Sequence, residues 1–375
     1  MPAEQILENK AVGILQKLLG RVPASLQLVH GGGNNRVYRV KQPDLGPDLA
    51  LKLYAPPGTN REDGLARLQR EFHGLHFLRA GGFRSVPSAI AADWQDLAAL
   101  YEWIEGTRPA LLDPQDRSPG DIGAVIQFAG DLHRLSHDTK KIEAGFTYQA
   151  REACLSGAEL LHQIDRRIEA LGRLSAEAEL QAFLADSFHP IFDAAAARLR
   201  AWGAASGISL SADLATECRI LSPSDFGFHN ALRQPDGRLI FIDFEYFGWD
   251  DPVKLLADFV WHPAMHLSPA ERLAFLGTNL TLFGRTDPQI VGRLHAQLPL
   301  YGLRWAAILL NEFFPDRWQR RVFAGKGEGG AEGWELAKLR QLQRARHYLH
   351  MVQATSKTAI EVPTAHLTEL LHINQ

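Results

Sequence analysis

The sequence predicts an α+β protein of two lobes, a small β-rich one over residues 1–106 and a large, mostly helical one over residues 107–375. Three observations carry this. Segments with strand periodicity or strand composition crowd the first hundred or so residues. After Pro109 the apolar residues recur at helical spacing in nearly every segment. A chain of 375 residues is also long for a single core.

In the first lobe, Met1 to Gly20 alternates charged and apolar residues at helical spacing. Ser25–Val29 and Val37–Val40 read as strands around His30-Gly31-Gly32-Gly33-Asn34-Asn35. Leu49–Tyr54 is a third strand. Asn60 with Asp63 caps a helix reaching about Leu78, and Leu65, Leu68, Phe72, Leu75 and Leu78 form its apolar stripe. Ala98–Trp103 is another strand, ended at Glu105-Gly106-Thr107-Arg108-Pro109. Helices are expected at 121–137, 158–171, 176–202, 269–283, 295–314 and 333–352. The segment from Tyr301 to Phe314 is apolar nearly all round, so Arg304, Asn311 and Glu312 need partners there; an internal ion pair is the favoured reading, and the alternative is that they face the acceptor pocket, with Glu312 gripping an amine or Arg304 an anion.

One hairpin interrupts the helical half. Pro235-Asp236-Gly237 is a turn signal, Arg238–Ile242 a strand and Ala231–Arg233 its partner. Folding the chain symmetrically about Asp236-Gly237 places Asn230 opposite Asp243, on one face of the pair. Asp225 lies on the loop just before. Converging oxygens suit a hard cation such as Mg²⁺, and a third carboxylate beside it can take a hydroxyl proton, which is the apparatus of phosphoryl transfer.

Upstream residues have features that suit a nucleotide, and each is also open to a plain structural reading: a hairpin turn, an edge-strand lysine facing water and a solvated helical glutamate. The glycine-rich stretch Gly31, Gly32, Gly33 can bring backbone N–H groups to phosphate oxygens, with Asn34 and Asn35 as further donors at the tip. In Leu49–Tyr54 the alternation puts Ala50 and Lys52 on one face, where the alanine leaves room for a base and the ammonium reaches phosphates. Glu71 borders the buried stripe of its helix and can pair with Lys52.

Composition excludes several classes. A net charge of −3 gives no footprint for nucleic acid. No run reaches the length of a membrane span, and no signal-peptide core is present. The two cysteines, Cys154 and Cys218, form no metal cluster or disulfide framework and fit a reducing cytoplasm. His262 and His266 stand four apart, but Pro263 between them favours a loop with solvated or hydrogen-bonded histidines. His133 reads as a core hydrogen-bonder, and His229 as either a packing residue or a phosphate contact.

Taken in order, the motifs resemble the aminoglycoside phosphotransferase and choline kinase family, which has a protein-kinase-like fold, over roughly Gln27 to Asp258. Gly31–Gly33 is similar to its nucleotide loop, Ala50-Leu51-Lys52 to its phosphate-lysine strand, and Arg70-Glu71-Phe72 to the helical partner of that lysine. Leu100–Gly106 resembles the hinge, Ser224–Asn230 the catalytic loop and Ile242–Glu245 the metal-binding segment. The resemblance implies an ATP- and Mg²⁺-dependent small-molecule kinase. Asp225 would be the catalytic base, Asn230 and Asp243 the Mg²⁺ ligands, Lys52 the phosphate clamp and Glu71 its support. Glu102 and Ile104 would offer backbone groups to adenine. The acceptor would be a hydroxyl on an amino sugar, aminoalcohol or sugar.

One departure stands out. The family usually has a bracing histidine two residues before the catalytic Asp, where this chain has Pro223, so Ser222 or Ser224 is expected to brace the loop instead. Pro223 also supports the alternative of a nucleotide-binding regulatory module without transfer activity.

Overall fold

The structure, a computed structural model, describes residues 3–21, 25–29, 35–42, 46–54, 60–138, 145–323 and 330–361. Gly31, Gly32, Gly33 and Asn34 lie outside the described residues.

Helix α1 (Ala3–Leu19) precedes β1 (Ser25–Val29), β2 (Arg36–Lys41), β3 (Leu49–Leu53), α2 (Arg61–Ala80), β4 (Ala89–Asp93) and β5 (Ala98–Glu102). The strands form one antiparallel sheet in the order β1-β2-β3-β5-β4. Helix α2 begins where the cap predicts: the Asn60 side chain accepts the Glu62 N–H, and Leu68, Leu75 and Leu78 are buried. Strand β4 had no signal, because Ala-Ile-Ala-Ala-Asp is too alanine-rich to favour a strand.

The helical part carries α3 (Pro119–Ser136), α4 (Gly157–Gly172), α5 (Ala178–Phe183) and α6 (His189–Ser206). The single helix expected over 176–202 is broken by a π turn at Leu184–Phe188. Then come β6 (Ile220–Ser222), β7 (Ala231–Arg233), β8 (Leu239–Phe241), β9 (Gly248–Asp250), α7 (Pro252–Trp261), α8 (Pro269–Phe283), α9 (Ile290–Leu309), α10 (Pro315–Phe323) and α11 (Ala331–Glu361). Helix α7 escaped the periodicity reading because all ten of its residues are buried, so no polar face marks its turns.

Strand β5 links two apolar clusters. Its Ala98 and Leu100 join Leu51, Val40 and the α1 residues Ala11, Ile14 and Leu15. Its Ala99 and Tyr101 join Tyr54, the α2 leucines and, in the helical part, Phe128, Phe244 and Phe259. The larger core is thus continuous past Gly106. At that residue the chain crosses the hairpin so closely that a Cβ would lie 2.6 Å from the Arg233 carbonyl oxygen. Thr107 and Arg233 exchange backbone hydrogen bonds there at 3.0 and 2.7 Å. No helix among the described residues is long and apolar enough to cross a membrane.

Candidate active site

Lys52 lies on β3 between Val37 and Ala99 of the flanking strands and is 7 % exposed. Its Nζ lies 2.7 Å from Glu71 Oε2, 2.5 Å from Asp243 Oδ1 and 3.7 Å from Glu245 Oε2. Strand alternation and the position of Glu71 at the border of the α2 stripe allowed the first of these contacts, and the family resemblance implied it. Burial alone would lower the Lys52 pKa, but Asp243, Glu71 and Glu245 outweigh it and hold the ammonium well above its ordinary value. Tyr54 donates to Glu71 Oε2 at 2.6 Å and its hydroxyl lies 2.6 Å from that of Tyr101, so Glu71 is fixed from two sides. Glu71 Oε1 also accepts the Phe244 N–H at 3.3 Å.

The hairpin forms, with a register one residue away from the symmetric fold. Ala231 pairs with Phe241 and Arg233 with Leu239, so the Asn230 carbonyl accepts the Ile242 N–H and Asn230 does not oppose Asp243. The loop uses three residues, Pro235, Asp236 and Gly237, with Gly237 at φ 87°, where two central residues were assumed. Such a slip turns a side chain to the other face. Asp243 has left the ladder, however: its φ is 67°, a left-handed conformation that a non-glycine residue rarely adopts. It contacts Lys52 from there. Burial first, then Glu245 and Glu71, push the Asp243 carboxyl up to about 6 against the pull of Lys52.

Asp225 forms the second focus. His229 Nε2 lies 2.9 Å and His262 Nε2 3.4 Å from its Oδ1, and the two imidazoles stack with centroids 3.7 Å apart. The Asn230 amide donates to Asp225 Oδ2 at 3.1 Å and to its carbonyl at 2.9 Å. Burial would raise the Asp225 carboxyl, but the histidines outweigh it and hold it well below the usual carboxylate range. His229 therefore acts on the carboxylate itself. His262, expected in a loop as a solvated or hydrogen-bonded histidine, ends α7 and lies 13 % exposed against Asp225. Nothing local signals that contact, which joins two segments through the tertiary fold.

The loop before Asp225 is braced without the family's histidine. Ser224 has φ 67°. Its N–H donates to Ser222 Oγ at 3.0 Å and its Oγ to the Arg151 carbonyl at 3.3 Å, as the serine expectation required. Lys254, 1 % exposed, donates to Ser224 Oγ at 2.6 Å and lies 3.0 Å from Asp250 and 3.2 Å from Asp258. Asp258 also meets Arg304 at 3.3 Å and the Trp305 indole at 2.8 Å, and Arg304 reaches Glu152 at 2.8 Å. Arg304 is thus paired internally, whereas Glu312 pairs at 2.7 Å with Arg321, a side chain that reaches the surface.

Of the other predicted positions that the structure describes, Asn35 joins one focus and the rest have contacts of their own. Asn35 donates to Glu245 and accepts from Arg67 at 2.6 Å, so it belongs with the Lys52 cluster. Arg67, one turn before Glu71, and Glu245 had no assigned role from sequence; they meet at 3.2 Å. Ala50 lies half-buried opposite Tyr101. The Glu102 carboxylate holds Ser88 N and Oγ at 3.1 and 3.0 Å. The Ile104 N–H makes no hydrogen bond among the described residues. His133 is a buried hydrogen-bonder, 3.0 Å from Thr286 Oγ1.

Comparison with known proteins bears on this arrangement. A model of the Phosphotransferase enzyme family matches residues 25–294. No curated protein matches the chain by sequence. Among solved structures, a spectinomycin phosphotransferase in complex with ADP and spectinomycin is similar at 13% identity and a TM-score of 0.57, covering 92% of this chain and 98% of that one. A choline kinase from Streptococcus pneumoniae is similar at 17% identity and a TM-score of 0.52, covering 93% and 99%. An ethanolamine kinase from Plasmodium vivax is similar at 13% identity and a TM-score of 0.54, covering 92% and 89%. These likenesses establish the two-lobed kinase-like fold.

Proposed function

The chain belongs to the phosphotransferase enzyme family, and we propose that it moves the γ-phosphate of ATP to a hydroxyl of a small molecule: an amino sugar, an aminoalcohol or a sugar. The observation that carries the reading is Lys52. One ammonium sits 2.7 Å from a glutamate of α2 and 2.5 Å from an aspartate beyond the hairpin, bringing a strand lysine, its helical partner and a carboxylate for a metal to one point.

Asp225 is the catalytic base. Ionised and aimed by His229 and His262, it takes the acceptor's proton as the hydroxyl oxygen bonds to the γ-phosphorus. The bond from that phosphorus to the β–γ bridging oxygen breaks, and ADP leaves with the electron pair. Lys52 neutralises phosphate charge and Glu71 keeps Lys52 in place. Gly31, Gly32, Gly33, Asn34 and Asn35 cradle the phosphates. Ala50 leaves room for adenine, which bonds to the hinge backbone at Glu102 and Ile104 ahead of a lobe boundary at Gly106.

The residues fit Mg²⁺. Asp243 offers a carboxylate oxygen and Asn230, whose amide nitrogen holds Asp225, offers its side-chain oxygen, both donors of the kind a hard cation takes. Asn230 and Asp243 would hold the ion, which when bound supplies charge neutralisation on the phosphates. Most of the rate then comes from positioning and charge.

Purified protein is expected to consume ATP with a hydroxyl acceptor of this class. Asp225→Asn should lower turnover by about 10²–10⁴-fold while nucleotide still binds. Undiminished turnover in that variant would remove Asp225 from the role of base. A nucleotide-binding module without transfer would instead give no phosphorylated product with any acceptor in a broad screen.

A further inference from the structure

The corner beside Asp225 holds two groups that the proposed reaction leaves unused: a proton on His262 and the ring of Trp305. His262 Nδ1 accepts the Ala264 N–H at 3.2 Å, so that nitrogen carries no proton. The imidazole is therefore neutral with its proton on Nε2, the nitrogen that faces Asp225. Burial first, then His229, hold His262 below its ordinary pKa, in keeping with the neutral form. Asp225 Oδ1 already has His229 Nε2 at 2.9 Å, whereas His262 Nε2 stands back at 3.4 Å, beyond the usual length of such a bond. Among the described residues His262 Nε2 has no nearer partner. Its proton is thus directed at the base without being consumed by it.

Asp225, His229 and His262 do not suit a metal ion. The two imidazoles lie parallel, 3.7 Å apart with 3° between their planes, so lone pairs in those planes do not meet at one point. A metal on His262 Nε2 would also force the proton onto Nδ1, against the Ala264 N–H. One N–H donor beside one carboxylate suits an incoming hydroxyl compound instead. Trp305 supplies a wall for it. Its ring meets His262 at 4.6 Å between centroids and 78° between planes. The indole N–H is spent on Asp258 Oδ1 at 2.8 Å, which fixes the ring, and the residue is half-buried. Trp305 therefore offers apolar surface only. Asp258 also acts on His262, but Lys254 at 3.2 Å and Arg304 at 3.3 Å neutralise it. Among the described residues, an ammonium beside His262 would have only the base itself and this neutralised acid to pair with.

We propose that His262 binds the acceptor directly: its Nε2–H donates to the oxygen on the carbon next to the hydroxyl that Asp225 deprotonates, and Trp305 packs against the acceptor's carbon skeleton. Oxygens on adjacent carbons stand about one hydrogen-bond length apart, which matches the 3.4 Å between the two protein groups that would hold them. An aromatic wall with a few placed polar groups is the usual make-up of a small-molecule site. The proposal rests on the phosphotransfer reading and narrows its acceptor to an uncharged sugar with two neighbouring hydroxyls, over an amino sugar or an aminoalcohol.

The test assays ADP release by the full chain with ATP and Mg²⁺. The acceptors are D-glucose, D-galactose and D-ribose, each beside its singly deoxygenated analogues, and glucosamine, ethanolamine and choline. At least one sugar is expected to be phosphorylated. Its kcat/KM should exceed that of the analogue lacking the neighbouring hydroxyl, and that of every amine, by at least about tenfold. His262→Ala should bring the sugar and that analogue to within about twofold of each other, and His262→Gln, which keeps an N–H donor, should restore part of the gap. A merely structural role for His262 would slow both substrates alike. Trp305→Ala should raise the KM for the sugar by about tenfold. An unchanged thermal shift on adding a non-hydrolysable ATP analogue verifies that each variant folds. Preferred turnover of an amine, no turnover of any sugar, a gap that survives His262→Ala, or an unchanged KM in Trp305→Ala overturns the proposal. The phosphotransfer reading fails separately, if the nucleotide analogue gives the parent no shift.

Discussion

Lys254 gives the sharpest test of how the loop before Asp225 is held. Its ammonium is buried, with Asp250 Oδ2 at 3.0 Å, Asp258 Oδ2 at 3.2 Å and Ser224 Oγ at 2.6 Å. Asp258 has Arg304 and Trp305 as further partners, whereas Asp250 Oδ2 has only Lys254 among the described residues. Lys254→Met keeps the stem volume and removes the charge, stranding a buried carboxylate oxygen. Breaking a buried ion pair in this way costs about 3–5 kcal/mol. At about 2.1 cal/mol/K per residue, the unfolding entropy of 375 residues is about 0.8 kcal/mol/K, so the melting temperature should fall by about 4–6 °C. Ser224, at φ 67°, loses the donor that anchors it, and turnover should fall while nucleotide affinity stays. Calorimetry on the parent, Lys254→Met and Lys254→Met with Asp250→Asn reads the effect. The double variant should regain most of the loss, since an amide at 250 needs no counter-charge and can still accept the N–H groups of Cys154 and Asp251. A single variant melting within about 1 °C of the parent, or a double variant no more stable than the single, would refute the account.

Two further outcomes are expected. His133 is held at about 4 by burial first, then by His137 and Arg285, against 6.5 for a free imidazole. Its neutral form is the one the fold favours, so its contribution is complete above pH 6.5 and is lost as pH falls toward 4, a loss of about 3 kcal/mol. Urea unfolding at pH 7 and 4.5 should show a smaller acid loss in His133→Gln than in the parent; equal losses would contradict it. Where the chain crosses the hairpin, Gly106→Ala drives a methyl to 2.6 Å from the Arg233 carbonyl, which should cost about 1–3 kcal/mol and, if the proposed nucleotide site adjoins it, raise the KM for ATP. Unfolding and initial-rate measurements decide, and an unchanged KM would free the nucleotide site from the Gly106 crossing.

Much of the fold was legible because its signals are local. Asn60 announced the start of α2, and the Pro235-Asp236-Gly237 turn announced the hairpin. The Lys52–Glu71 pair was allowed by one strand alternation and one helix stripe, and the family resemblance chose it over a solvated glutamate. Where a local rule was pushed to single-residue accuracy it failed. The hairpin loop takes three residues, so Asn230 faces Ile242, and Asp243 reaches Lys52 by its left-handed backbone and not by the pleat. Helix α7 was invisible because burial on every side erases periodicity.

The sequence by itself determined the two-lobed α+β architecture, the order of its motifs and the residue types that phosphoryl transfer needs. Those depend on turn chemistry, side-chain alternation and apolar spacing, which each segment carries within itself. Only the tertiary structure decided what meets what. Lys52 and Asp243 are 191 positions apart in the chain, and His262 and Lys254 reach the loop around Asp225 from the two ends of a wholly buried helix. Such contacts are set by the packing of whole elements around the shared core, and no window of the sequence contains both partners.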